Sequence, residues 1–264
     1  MSGPDDTRRH AALKRRIDRI ARAIEMDVVP RLVARGLPEA AGRPTPAEVE
    51  RMATLAIADD GAEAIRFAEE MAARGVPVPV LMLHLLSPAA ALLGEWWIED
   101  RCSFVDVTLG LMHLHQTLQA LSPVLLPDLV APAEGRRVLL LPVPGEQHVF
   151  GLSVVAEFFR RGGWDVAMDA AGDAADAARL VREGWFTVVG ISAGTIEQAG
   201  LLAQVIGAVR RASCNPDVAV LVGGAAFRGR PGLVREVGAD GSAADGEDAV
   251  RQAEALAALL AARN

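Results

Sequence analysis

The chain has no tyrosine and only two cysteines among its 264 residues. The missing tyrosine, beside abundant alanine, reflects genome composition and excludes no function. The cysteines exclude more. Cys102 and Cys214 stand far apart, and neither belongs to a C-x-x-C pair. That argues against a zinc centre and against a disulfide framework, and it fits a reducing cytoplasm. A clean membrane span is also lacking. The longest apolar stretch, 76–97, is interrupted by Pro77, Pro79, His84 and Pro88 and by a closing Glu95, so it reads as a buried helix. No signal-peptide hydrophobic region follows Met1. Positive charge is in short supply: 27 Lys and Arg against 34 Asp and Glu give a net charge of −7. That balance argues against direct nucleic-acid binding, which needs a basic face for the phosphates. It leaves open a protein partner that itself touches DNA. G-x-G-x-x-G and Gly-Lys-Ser/Thr are both missing, so neither a dinucleotide fingerprint nor a P-loop is present. No Ser-His-Asp arrangement has a local signature, and Glu146 with His148 is too little for acid–base catalysis. The chain reads as a binding protein and not an enzyme.

What is present is apolar material, 51% of the residues, enough for one large domain or two ordinary ones. Leu13, Ile17, Ile20 and Ile24 recur at helical spacing in a charged N-terminal arm, 1–44. Its basic cluster, Lys14, Arg15, Arg16, Arg19 and Arg22, is either a solvated face or a partner surface. Residues 36–46, with Gly36, Pro38, Gly42, Pro44 and Pro46, read as a linker or long turn. Thr45, Pro46 and Glu48 then form a capping-box pattern for a helix reaching about 59. Further helices are expected at 62–74, 80–93 and 104–121. Together they make a four-helix-type bundle over 45–125. Pro123, Pro127, Pro132 and Gly135 mark a linker, assigned to 126–135.

From 136 to 264 the pattern alternates. Strands are expected at 137–143, 164–168, 186–191, 218–222 and 237–241, and helices at 151–162, 174–184, 196–212, 231–236 and 246–262. Five such units predict an α/β domain with a doubly wound parallel sheet, flavodoxin-like, in strand order 2-1-3-4-5.

Ligands of open α/β sheets sit at the carboxyl ends of the strands. Three loops meet there. The first carries Glu146 and His148, and a neutral imidazole in that place can bind a metal. The second runs Gly190-Ile191-Ser192-Ala193-Gly194-Thr195, and the third opens with Gly223-Gly224. Small residues allow close backbone approach, and Ser192 and Thr195 add hydroxyls, so the loops suit a long, flat or tailed ligand. In the bundle, Trp96 and Trp97 offer a flat apolar wall. His113 and His115, two residues apart, lie on different faces of one helix.

Residues 45–262 resemble cobalamin-binding proteins with a helical cap and a flavodoxin-like domain. That family's D-x-H-x-x-G motif stands here as Glu146-x-His148-x-x-Gly151, with Glu replacing Asp. The resemblance implies His148 as the lower axial ligand of cobalt and Glu146 as its supporting partner. It implies Ser192, Gly223 and Gly224 as the lining of a groove for the displaced nucleotide tail. Residues 97–110 and 144–151 look like PpaA/AerR-type regulators of photosynthesis genes, which resemble the CarH-type light-sensing repressors. In the latter a Trp is followed about ten residues on by Glu-His at the upper face of the ligand. Counting from Trp97 reaches Val107-Thr108, so the upper ligand is expected to differ: water, or one of His113 and His115 after rearrangement. The N-terminal arm is too short and too broken by Pro and Gly for a MerR-type winged helix. The resemblance therefore implies a cytoplasmic adaptor. It would bind cobalamin, in the hydroxo/aquo or adenosyl form, sense light or redox state, and regulate transcription through a DNA-binding regulator. Self-association stays open. Two rivals share the scaffold: a haem sensor, and a corrinoid carrier of a methyltransferase system. The tail-groove residues favour cobalamin, because haem has no nucleotide tail.

Overall fold

The computed structural model describes residues 42–122, 135–147 and 149–261. The amphipathic segment within 1–27, most of the expected linkers, and His148 lie outside the described residues.

The first helix, α1 (Pro46–Ala56), starts where the capping box places it. The Thr45 hydroxyl accepts from the Glu48 amide at 3.3 Å, and the Glu48 carboxylate accepts from the Thr45 amide at 2.8 Å. After α2 (Ala62–Ala73) comes α3, an apolar helix over Val78–Ile98. Its middle, Met82–Leu86, widens into a π turn. Pro88 has no N–H to give to the carbonyl four residues back, and its ring would crowd that carbonyl. The wider turn relieves both, and the Ser87 hydroxyl donates to the Met82 carbonyl at 2.8 Å. Among the described residues α3 is long and apolar enough to cross a membrane. It lies instead against the other helices, with Leu81, Met82, Leu85, Leu86, Ala89 and Leu93 fully buried in the bundle core. A second capping box, Ser103 with Asp106, opens α4 (Phe104–Leu121).

The sheet is five-stranded and parallel in the order β2-β1-β3-β4-β5, as expected. The strands are β1 (Arg137–Pro142), β2 (Asp165–Met168), β3 (Val188–Ser192), β4 (Ala219–Gly223) and β5 (Gly241–Ala243). The helices between and after them are α5 (Phe150–Arg161), α6 (Ala174–Glu183), α7 (Ala199–Ala212), α8 (Pro231–Glu236) and α9 (Gly246–Ala261). Side chains alternate across each strand. Leu139, Leu141, Val189, Ile191, Val220 and Val222 face α6, α7 and α8. Val138, Leu140, Val188, Ala219 and Leu221 face α5 and α9.

One strand differs from expectation. β5 occupies 241–243 and not 237–241. Val237, Gly238 and Ala239 close α8: Gly238 adopts φ +80°, and the Ala239 amide returns to the Val234 carbonyl at 3.0 Å. This is a Schellman ending, whose apolar residues imitate a strand in sequence. Pairing with β4 begins at Asp240, whose amide donates to the Val220 carbonyl and whose carboxylate accepts from the Val220 amide.

The helix α5 joins the two halves. Leu152, Ala156 and Phe159 pack on the sheet, while Phe150, Val154 and Phe158 belong to the bundle core. Both α3 and α4 contact α5. Burying each such aromatic or aliphatic side chain contributes roughly 1.5–3 kcal/mol, so the two halves are held through α5 by several side chains together.

The α4 cap carries a pH signature. The Ser103 amide, and then its hydroxyl, hold the Asp106 carboxyl below its ordinary value. The resulting stabilisation is present above the ordinary carboxylate range and is lost as pH falls through the lowered folded value. Urea midpoints should therefore separate wild type from Asp106→Asn near neutrality and converge in acid; a gap independent of pH contradicts the cap's charge.

Candidate functional site

The loop after β1 begins with a tight turn. Pro144 and Gly145 occupy its central positions, Gly145 has φ +84°, and the Glu146 amide donates to the Val143 carbonyl at 2.9 Å. These are the marks of a type II turn, which needs a positive φ at its third residue. The turn aims Glu146 sideways at the loop after β3. There one carboxylate oxygen of Glu146 accepts from the Gly194 amide at 3.1 Å and from the Gln198 side-chain amide at 3.3 Å. The Gln198 carbonyl oxygen in turn accepts from the amides of Gly194, at 2.9 Å, and Thr195, at 3.1 Å. Gly194 is required by this approach: a β-carbon there would lie 2.4 Å from the Glu146 carboxylate. Next to it, the Glu197 carboxyl is held below its ordinary value by its own backbone amide, then by the Thr195 hydroxyl, with the Arg230 guanidinium adding attraction.

The loops after β3 and β4 are locked together. The Ala193 amide donates to the Gly223 carbonyl at 3.0 Å, and the Ala226 amide to the Ala193 carbonyl at 3.2 Å. Gly224 has φ +97°, and a β-carbon on it would meet the Ala193 carbonyl oxygen at 2.3 Å.

Strand alternation places Gly190, Ser192 and Gly223 on the face that carries α5 and α9, with Ser192 paired to Gly223 across the ladder. This face is short of side chains: Gly190 leaves its place to Leu140, whose methyl a β-carbon would meet at 2.7 Å. The Ser192 hydroxyl is buried there and has no hydrogen-bond partner among the described residues. A buried unpaired hydroxyl costs about 1–3 kcal/mol. Glycines before and across from it leave a place that a polar ligand group would complete. The residues present therefore fit a tailed cofactor.

The described parts of the first loop bracket position 148. The Val149 amide donates to the Gln147 carbonyl at 3.0 Å, and the Ser153 amide donates to the Val149 carbonyl at 3.0 Å. Gly151 lies exposed in the first turn of α5. Position 148 itself lies outside the described residues, so the metal-ligand expectation for His148 carries no geometry here.

The bundle side corrects one expectation and shows how the two histidines are held. Adjacent helical residues point about 100° apart, so Trp96 and Trp97 do not form one wall. Trp96 is turned inward, 6% exposed, with the Arg101 guanidinium 4.7 Å from its ring centre. Trp97 is 48% exposed and meets Phe104 edge-on at 6.3 Å. In this arrangement His113 is held inside the bundle. It is buried, its Nδ1 lies 2.7 Å from the Ala56 carbonyl, and Gly61 packs directly against its ring. His115 has both ring nitrogens engaged, Nδ1 with the Leu111 carbonyl at 3.0 Å and Nε2 with the Ser153 hydroxyl at 3.1 Å. What the bundle does present is a stripe along α4: Phe104, Thr108, Met112 and His115 share one face. It runs about 16 Å, from Trp97 to the first turn of α5. Phe104 is 66% exposed, an apolar surface awaiting cover.

Sequence reasoning missed Gln198 and Ser153. Thr195-x-x-Gln198 is a capping-box spacing, and that signal could have found Gln198. Nothing in the sequence marks Ser153.

Comparison with known proteins bears on the same residues. Residues 136–254 match the family model of the B12 binding domain. The "Uncharacterized 20.5 kDa protein in bchF-crtJ intergenic region" of Rhodobacter capsulatus is 31% identical over 172 residues, spanning 65% of this chain and 89% of that protein. The monomethylamine corrinoid protein of Methanosarcina barkeri shares the fold with a TM-score of 0.61 at 16% identity, over 83% of this chain and 100% of that one. A cobalamin-binding protein of Desulfitobacterium hafniense DCB-2 aligns with a TM-score of 0.43 at 16% identity, over 80% of this chain and 97% of its own.

The Gln198 bridge has a direct test. Gln198→Leu removes the acceptor shared by two amides, at a cost of about 1 kcal/mol. Amide exchange at Gly194 and Thr195 should then accelerate by about fivefold while the strands keep their protection; unchanged exchange at both contradicts the bridge.

Proposed function

The chain belongs to the B12-binding domain family, and from that membership we propose that it is a corrinoid-dependent sensor that regulates transcription through a partner protein. The observation that carries this reading is the double membership of α5. Here Phe150, Val154 and Phe158 make the helix after the β1 loop part of the bundle core. Events at that loop thus reach the bundle surface through packed side chains, which is what a sensor requires.

The roles divide as follows. His148 would hold the cobalt from below. Glu146 braces the loop against Gly194 and Gln198, and the exposed Gly151 turn lets the chain pass close to the ring. The buried Ser192 hydroxyl would gain its partner from the nucleotide tail, between Gly190 and Gly223. Gly224 keeps that groove narrow through its contact with Ala193. Trp97 and Phe104, exposed on the bundle, would supply apolar cover for the bound group. A bound corrinoid would supply a metal centre that responds to light or redox state. The partner is a DNA-binding regulator, in keeping with the net charge of −7, which leaves direct DNA contact to another protein. The relative encoded between bchF and crtJ supports photosynthesis or pigment genes as the target.

The absorption spectrum of the purified full chain with added aquocobalamin tests this. Wild type should take up the pigment and show axial imidazole ligation, with a spectrum that differs between darkness and illumination or between redox states. His148→Ala should lose the imidazole signature and bind about 10–100-fold more weakly. Uptake of haem in place of cobalamin, or methyl transfer from a methylated donor, would replace the sensor reading with one of its rivals.

A further inference from the structure

The contact between His115 and Ser153 joins α4 of the bundle to the first turn of α5, four residues after Val149. Its chemistry is specific. The Leu111 carbonyl can only accept, so the His115 Nδ1 carries a hydrogen and donates to it at 3.0 Å. In the neutral ring Nε2 is then an acceptor, and the Ser153 hydroxyl, 3.1 Å away, donates to it. The same hydroxyl lies 3.2 Å from the Val149 carbonyl. A hydroxyl has one hydrogen to give. Ser153 can spend it across the interface on His115, or within its own helix on Val149. The His115 ring also meets the Phe150 ring edge-on, with centres 4.9 Å apart and planes at 87°.

Resting on the corrinoid reading, the geometry points to the pair His115–Ser153 as a latch that positions the β1 loop against the bundle. Both are positioning residues. In the closed state the hydroxyl bonds to His115 and α5 is drawn to α4. In the open state it falls back on Val149, so the hydroxyl stays paired and opening costs only the one bond to His115, about 1 kcal/mol. The latch is thus a two-state element at the junction of bundle and loop. The Val149 carbonyl also accepts from the Ser153 amide, so the change reaches the backbone next to position 148. A change in axial ligation would bias the latch, and the α4 stripe from His115 to Phe104 would carry the difference toward Trp97. This gives His115 a role that keeps its nitrogens off the metal.

The test uses the full chain with and without aquocobalamin, in wild type and in Ser153→Ala, Ser153→Thr and His115→Phe. Phenylalanine keeps the ring contact with Phe150 and removes the hydrogen bonds. Without pigment, amide exchange across residues 150–153 should accelerate about fivefold in Ser153→Ala and in His115→Phe, the ratio expected for one hydrogen bond of ordinary net strength. The double variant should be clearly less than additive, because both remove the bond between His115 and Ser153, even though Ser153→Ala also loses the Val149 contact and His115→Phe the Leu111 contact. Ser153→Thr should restore wild-type exchange. With pigment, the fraction showing axial imidazole ligation should fall in both disrupted variants and recover in Ser153→Thr. Exchange and spectrum both unchanged in Ser153→Ala and His115→Phe overturn the latch, as does full additivity in the double variant. A wild type that takes up no cobalamin overturns the corrinoid reading alone, and the pigment-free exchange still decides the latch.

Discussion

The burial of α5 on two sides is the constraint on which the rest of the structure depends. A helix on an open sheet normally spends one face on the sheet and gives the other to water. This one gives its second face, Phe150, Val154 and Phe158, to a separate helical core. The price of pulling those side chains out is several kcal/mol, comparable to a sizeable share of a domain's net stability. The bundle is therefore held against α5, the helix that follows the β1 loop. The exposed tryptophan of α3 and the exposed phenylalanine of α4 belong to that same bundle.

A second constraint acts within the loops. Gly194 is small because Glu146 needs its amide, and Gly224 is left-handed because the Ala193 carbonyl occupies the space a side chain would take. The result is a tightly tied edge on which the Ser192 hydroxyl is buried and, among the described residues, unpaired. Proteins seldom leave such a group without purpose. Its place between Gly190 and Gly223 gives it one, if a polar tail enters from the loop side.

Much of this was legible in the sequence, for physical reasons. The capping box at Thr45 and Glu48 is a local interaction with a local signature, and it appears where expected. Buried parallel strands leave long apolar runs, so β1 and β4 and the strand order could be read directly. β5 could not, because Val237 and Ala239 are apolar for the sake of a helix ending. The tryptophan wall failed because adjacency in sequence is divergence on a helix. The surroundings of the histidines were not legible either: two residues of one helix said nothing about their neighbours, and only the fold shows His113 against Ala56 and His115 against Ser153. Tertiary hydrogen bonds of this kind have no sequence period to reveal them.

The central claim is that a ligand seated at the loops is felt by the bundle through α5. Hydrogen exchange of the full chain, with and without aquocobalamin, tests it most directly. The account predicts slower exchange on binding in the loops after β1, β3 and β4 and, together with them, in α4, α5 and the end of α3 that carries Trp97. Slowing confined to the three loops, with the bundle helices unchanged, would contradict it.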